Sequence, residues 1–302
     1  MKVFKVGILL GQSGNSFWTK MKQAYDKCAS EFGIDPAYAW PVSGREEETQ
    51  LSALEKMLTA GYDALIVNPL NRNNLVPGIL KAAARHIPVL DVGAKTAPES
   101  VKAAEPYYVP VKTVDFYLQG ILGATYIIDR LKLSGGGTVA IIEGNPDSTQ
   151  SIERSRGAAE TFAQVPEIRI AASLPADFDR IRAADVSIRL FEQYPDLSAV
   201  FCANDCMALG VSQTVQEMAL CHPVIIVGVD LIQEAVQAVQ AGTMSASVTF
   251  SVLDVAKMLL DTAKKTLNGQ GPPSACFPII SQLIDKRSIN SIRELDDGNR
   301  EN

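Results

Sequence analysis

Histidine is scarce in this chain. There are two, His86 and His222, and each stands just before an apolar, strand-like run rather than after one. A Ser-His-Asp catalyst would have to use one of them, so this placement weakens an enzyme reading, although carboxylates alone can do acid–base work. The five cysteines, Cys28, Cys202, Cys206, Cys221 and Cys276, contain no Cys-x-x-Cys pair. With so few histidines beside them, no zinc site or other metal is expected, and no cofactor. Their number is odd and their surroundings are mostly apolar, so they read as buried small hydrophobes. Free thiols are unusual in an oxidising compartment. A Gly-x-x-x-x-Gly-Lys-Ser/Thr phosphate loop and a Gly-x-Ser-x-Gly nucleophile elbow are both missing. Basic residues are in deficit: 28 Lys and Arg stand against 34 Asp and Glu, a net charge of −6. That argues against nucleic acid and against an anionic membrane surface as partners. No apolar run approaches the ~18 residues of a membrane span. The chain starts Met1-Lys2-Val3-Phe4-Lys5-Val6 and goes straight into a strand. It therefore reads either as cytosolic or as a chain whose signal peptide has been removed.

What is present is a two-domain α/β pattern. The length of 302 residues suggests two domains at about 150 residues each, and 47% hydrophobic residues are enough for a core. Short continuous apolar runs alternate with amphipathic stretches. The first half predicts strands over 5–10, 37–40, 63–67 and 88–91, with helices over 17–31, 47–60 and 75–85. A less regular stretch covers 93–114. The pattern then restarts with a helix over 115–131, a Ser134-Gly135-Gly136-Gly137 linker, and strands over 138–142, 168–171, 199–202 and 224–227 with helices between them. A strand over 246–249, a helix over 252–267, an extended piece over 277–280 and a polar, fraying tail complete it. Continuous β-branched runs indicate strands buried on both faces, hence parallel sheets with helices on each side. In such sheets ligands bind beyond the carboxyl ends of the strands.

Polar and aromatic residues collect at those ends. Asn15-Ser16-Phe17-Trp18 follows the first strand. The Gly11-Gln12-Ser13-Gly14-Asn15 turn before it lacks the third glycine of a dinucleotide loop and reads as a plain strand-to-helix turn. Asn145-Pro146-Asp147, Gln150 and Arg154 follow the strand over 138–142. Pro175-Ala176-Asp177-Phe178-Asp179, Asn204-Asp205 and Asp230 follow the later strands. Aromatic faces bracketed by Arg, Asn and Asp suit a small polyhydroxylated ligand, whose C–H faces stack while its hydroxyls find charged partners. Each residue also has a plainer reading. Phe17 and Trp18 are core at a helix start, Asn204, Asp205 and Asp230 are helix N-caps, Arg154 is a solvated charge, and Phe178 is loop packing.

These stretches, with Arg154-Ser155-Arg156-Gly157, Asn204-Asp205-Cys206-Met207-Ala208-Leu209-Gly210 and Val227-Gly228-Val229-Asp230, resemble the ribose-binding branch of the type I periplasmic binding proteins. LacI-type repressors share that ligand-binding fold. The resemblance covers nearly the whole chain. It implies two doubly wound parallel-sheet lobes joined by three crossovers, with a ligand cleft between them. The N-terminal lobe would be 1–112 plus 251–280, and the C-terminal lobe 113–250 plus 281–302. It implies a binding site of Asn15, Phe17 and Trp18 from the first lobe and Arg154, Phe178, Asn204 and Asp230 from the second, with Asp115 near the first crossover. Two departures stand out. Gly93-Ala94 replaces an Asp-Arg pair, with Asp91 and Lys95 nearby, and Phe250 replaces a glutamine. The ligand implied is a small sugar, or a sugar-like or polyol-like molecule, other than ribose itself: less hydroxylated, deoxygenated or differently shaped. Lys95 reads first as solvated and second as entering the site.

The function implied is solute capture by hinge closure for a membrane ABC permease, by a monomer in the periplasm or lipid-anchored outside the cell. A sensor for a chemoreceptor or kinase, and a cytoplasmic repressor fragment lacking its DNA-binding part, are the alternatives.

Overall fold

In a computed structural model of the chain, residues 3–12, 14–42, 46–270 and 279–289 are described. The chain forms two compact units. One comprises Met1–Asp115 and Ser251–Ile280, the other Phe116–Phe250 and Ser281–Asn302. The chain thus passes from one unit to the other three times, the first at 115/116, three residues beyond the sequence-based boundary.

The first unit alternates strand and helix: β1 (Phe4–Leu9), α1 (Ser16–Cys28), β2 (Ile34–Ala39), α2 (Glu46–Met57), β3 (Ala64–Val67), α3 (Val76–Ala83), β4 (Val89–Val92), the short α4 (Pro98–Val101) and β5 (Tyr108–Val111). The five strands make one parallel sheet in the order β2-β1-β3-β4-β5. All four residues of β3 and of β4 are buried, as expected of strands covered on both faces. Helix α1 ends at Cys28, and a 3-10 turn over 29–32 closes on Gly33 at φ 67°, where the sequence pattern ran the helix to 31.

β5 lies inside the stretch read as irregular. Its Pro110 has no N–H to give a ladder, which argues against a strand in the sequence. The structure places it on an edge of the sheet, where proline is tolerated.

The second unit holds α5 (Phe116–Leu131), β6 (Gly137–Glu143), α6 (Thr149–Ala163), β7 (Ile168–Pro175), α7 (Arg180–Gln193), β8 (Leu197–Cys202), α8 (Asp205–Glu217), β9 (Ile225–Val229), α9 (Gln233–Ala241) and β10 (Ala246–Thr249). The chain then returns to the first unit with α10 (Val252–Leu267), which packs on α1, and ends its described part with β11 (Gln282–Asp285) in the second. Ser251 caps α10 by accepting the Asp254 amide at 3.1 Å. Asp254 in its first turn and Lys264 and Lys265 in its last suit the helix dipole. The second sheet runs β11-β10-β9-β8-β6-β7, parallel except for β11.

β7 extends to Pro175, four residues past its sequence-based end, so the Asp177-Phe178 loop leaves from there. Of the extended piece over 277–280, residues 277 and 278 lie outside the described residues. Ile279 makes a single parallel bridge to Val114, and the strand proper is β11.

The cysteines divide. Cys28 and Cys202 are buried as expected, Cys206 is half-buried, and Cys276 lies outside the described residues. Cys221 is exposed, because it lies in the bend between α8 and β9 rather than on an element packed against the core.

Candidate functional site

Because each sheet is parallel apart from β11, the carboxyl ends of the parallel strands share one edge, and the candidate residues fall on or just beyond that edge in both units. In the first unit the edge is closed by amide side chains that the sequence reading did not single out. Gln50 Nε2 donates to the Leu10 and Asn68 carbonyls at 3.2 and 2.8 Å, and Asn68 Nδ2 donates to the Leu9 carbonyl at 3.1 Å. These bonds satisfy backbone acceptors where the β1 and β3 ladders stop. Beyond them Asn15 caps α1, its Oδ1 accepting the Phe17 amide at 3.0 Å. The cap sets Phe17 and Trp18 in the first turn. Their rings meet edge to face with centroids 5.0 Å apart. Trp18 is buried and Phe17 half-buried. The indole lies where a side chain on Gly11 would be: a Cβ there would come within 2.3 Å of the ring.

At the end of β4 the structure corrects one expectation and refines another. Lys95 is 4% exposed rather than solvated, and its Nζ stands 5.7 Å from the Trp18 ring centroid, a cation–π approach. The turn that brings it there passes through Gly93 and Ala94 at φ 84° and 51°. Asp91 is fully buried. Its Oδ2 accepts the Thr96 amide at 2.7 Å and the Tyr108 hydroxyl at 2.8 Å, so this carboxylate holds the turn that carries Lys95.

In the second unit the centre of the edge is Arg154, which the plainer reading made a solvated charge. It is 4% exposed. Nε donates to Gln119 Oε1 at 2.7 Å, Nη1 to the Ala203 carbonyl at 2.7 Å, and Nη2 to Asp230 Oδ1 at 3.4 Å. The Phe116 ring lies 5.6 Å from its guanidinium carbon. Gln119 is itself fixed by donating to Ser281 Oγ at 3.1 Å. Gln119 was legible: it is the one amide in the buried stripe of α5 that continues through Gly120, Gly123, Ala124, Ile127 and Ile128.

Asn204 is the N-cap of α8, accepting the Met207 amide at 3.0 Å, while its Nδ2 points to the Phe178 carbonyl at 3.5 Å. Asp205 and Asp230 are not caps, because α8 is already capped by Asn204 and α9 starts after Ile232. Asp177 and Phe178 both have positive φ, at 53° and 60°. That turn lays the Phe178 ring on Gly144, at the end of β6, where a Cβ would come within 2.1 Å of the ring. Phe250, past β10, is half-buried.

The electrostatics are those of charge withheld from water. Burial lowers the affinity of the Arg154 guanidinium for its proton, and Asp230 and Asp205 oppose that. Burial pushes the Asp205 carboxyl well above the usual carboxylate range, with Asp230 adding to it. Burial also pushes the Cys206 thiol up to about 12, so it is not a nucleophile at neutral pH. Among the described residues no three His, Cys, Asp or Glu side chains gather as metal ligands would.

Residues 6–271 match the periplasmic binding protein domain family. The chain belongs to that family. Its relatives include the D-allose-binding periplasmic protein of Escherichia coli, 34% identical over 262 residues that cover 85% of this chain and 84% of the relative. The ribose import binding protein of Bacillus subtilis is 25% identical, over 89% of this chain and 83% of its own. Among solved structures, a periplasmic ABC-transporter solute-binding protein of Actinobacillus succinogenes with bound D-allose superposes with a TM-score of 0.84. The two are 27% identical, and the match covers 95% of this chain and 99% of the other. The two parallel-sheet units here are thus the α/β lobes of a type I periplasmic binding protein.

Proposed function

We propose that this chain is the solute-binding component of an ABC sugar importer, acting in the periplasm or at the outer face of the cell envelope. Its ligand is a small sugar other than ribose, with D-allose the first candidate. The 34% identity to an allose binder, against 25% to a ribose binder, supports that order. Phe17 and Trp18 of the first unit and Phe178 of the second supply apolar faces for the sugar's C–H surfaces. Arg154, Asp230, Asn204 and Asn15 meet its hydroxyls. Lys95 restores a cation next to the Gly93-Ala94 turn, and Phe250 adds an aromatic edge where relatives of the ribose branch have an amide. Ligand closes the hinge and the closed form is read by a membrane permease.

The observation that carries this reading is Arg154. Three of its five N–H donors are directed to protein acceptors, which fixes the plane of the guanidinium. The remaining two suit a pair of ligand oxygens, and charge-assisted bonds of this kind are roughly twice as strong as neutral ones.

A thermal-shift and calorimetric panel of D-allose, D-ribose, other pentoses and hexoses, deoxysugars, polyols and sugar acids tests the proposal. Ligand at 100 times its Kd should stabilise the fold by ~2.7 kcal/mol. A shift from D-allose that Phe178→Ala diminishes supports the proposal, and no response to any member overturns it.

A further inference from the structure

Asp205 starts α8 directly after Asn204, and its side chain is fully buried. Its Oδ1 accepts the Ser247 hydroxyl of β10 at 2.7 Å, and its Oδ2 accepts the Ile232 amide at 3.0 Å. Ser247 Oγ in turn accepts the Leu231 amide at 3.1 Å. A Cβ on Gly228 would stand 2.2 Å from Asp205 Oδ1, so β9 carries no side chain where the carboxyl lies. One carboxyl therefore ties together the start of α8, the strand β10 and the segment after β9.

That segment is strained. Asp230 and Leu231 have φ of 111° and 48°, a region that residues with a Cβ rarely occupy. Such a conformation persists only where its surroundings over-determine it. The backbone supplies one restraint, the Asp230 amide donating to the Val248 carbonyl at 2.7 Å. The Thr249 hydroxyl donates to the Asp230 carbonyl at 3.4 Å. Two further restraints act on the two amides that follow Asp230, and both lead to Asp205. Asp230 is the residue of this turn that meets Arg154.

We propose that Asp205 is a positioning residue of the ligand site: with Ser247 it clamps the turn at 230–231 and so sets where the Asp230 carboxylate meets Arg154 and the ligand. The last step rests on the proposed sugar site; the clamp itself does not.

The neutral isostere distinguishes positioning by hydrogen bonds from a need for charge. In Asp205→Asn the amide oxygen still accepts the Ile232 amide, and its N–H₂ donates to Ser247 Oγ. The Ser247 hydroxyl then turns to the Val248 carbonyl, 3.5 Å away. Asp205→Ala removes both bonds, and Ser247→Ala removes the Leu231 half of the clamp.

The experiment uses the full chain and two readouts: residue-resolved amide exchange at Leu231 and Ile232 without ligand, and calorimetric titration with D-allose well below the melting temperature. Asp205→Ala should speed exchange at both amides by about tenfold or more. It should weaken D-allose by about tenfold, while Asp205→Asn stays within about twofold of wild type in both. A residue that only supports the fold would lower Tm without moving the affinity of the folded protein. Unchanged exchange, or unchanged affinity in a folded Asp205→Ala, overturns the proposal, as does an Asp205→Asn loss equal to that of alanine. If Asp205→Ala does not fold, Ser247→Ala decides: faster Leu231 exchange with weaker binding supports the clamp, and neither change overturns it. If wild type binds no sugar, the sugar reading fails, and the exchange readout still decides the clamp.

Discussion

The guanidinium of Arg154 draws its partners from α5, from the loop after β8 and from the turn after β9, so removing it touches all three at once. Arg154→Met keeps much of the side-chain volume but removes the guanidinium from the buried Asp230 carboxylate. Breaking one side of a buried pair in this way costs ~3–5 kcal/mol. Urea unfolding at pH 7 should show a loss of that size, and adding Asp230→Asn should recover part of it. Asp205 makes the opposite kind of prediction. Its folded pKa is raised, so the folded state holds its proton more tightly than the unfolded chain. The resulting stability is fully present below the unfolded value of about 4 and is lost as pH rises from there towards the folded value. Asp205→Asn is neutral throughout. Urea unfolding from pH 4 upward should therefore show the variant gaining on wild type as pH rises, and a gap that does not change with pH would contradict this. Arg154, Asn204 and Asp230 were legible in the sequence because each follows an apolar strand run. Their environments were not. Whether Arg154 and Lys95 are solvated or buried depends on Gln119, Ala203 and Trp18, which lie 35, 49 and 77 residues away in the chain.

Two helices hold Arg154 at its depth by close backbone approach. A Cβ on Gly120 of α5 would stand 2.0 Å from the Arg154 carbonyl oxygen, and one on Gly157 of α6 would stand 2.2 Å from the Tyr117 carbonyl oxygen. The pair is reciprocal, each glycine receiving the other helix's backbone. Gly210 of α8 repeats the device against the Arg180 carbonyl of α7 at 2.2 Å. Alanine in a helix interior is ordinarily better than glycine by about 1 kcal/mol. Here the sign reverses, because backbone rather than a flexible side chain stands in the way, and overpacking costs about 1–3 kcal/mol. Gly157→Ala should lower Tm and also weaken ligand, since it shifts the helix that carries Arg154; a rise in Tm would refute the packing argument. At this scale the sequence was read well where strands are buried on both faces, as in β3 and β9. It was read poorly at the margins of the sheets. β5 pairs on one side only and contains Pro110, and β11 is a short antiparallel addition whose register is set by β10 rather than by its own pattern. The glycines at 120 and 157 read as ordinary helix residues until the neighbouring helix is in place.

At the scale of the whole chain, two α/β units each present the carboxyl edge of a parallel sheet, and the chain passes between them three times. A ligand can bring two such units together only in proportion to how much better it binds the closed form than the open one. On the proposed assignment, Arg154, Asn204 and Asp230 bind ligand whether or not the first unit engages, and Phe17 supplies part of the difference between the two forms. Small-angle scattering should then show a smaller radius of gyration with saturating D-allose than without it. Tryptophan emission should change as well, since Trp18 is one of the chain's two tryptophans, and Trp40→Phe should preserve that change. Phe17→Ala separates binding from closure. It leaves the second unit's contacts intact, so D-allose should still bind, but the differential affinity falls and with it the closed fraction at saturation. Moving an equilibrium from 1:99 to 99:1 takes about 5.5 kcal/mol of differential binding, so losing one aromatic face should leave a visible open population. The expected result is weaker binding together with a radius of gyration, at full saturation, between the free and bound values of wild type. Full compaction in Phe17→Ala at saturation would mean that Phe17 does not drive closure.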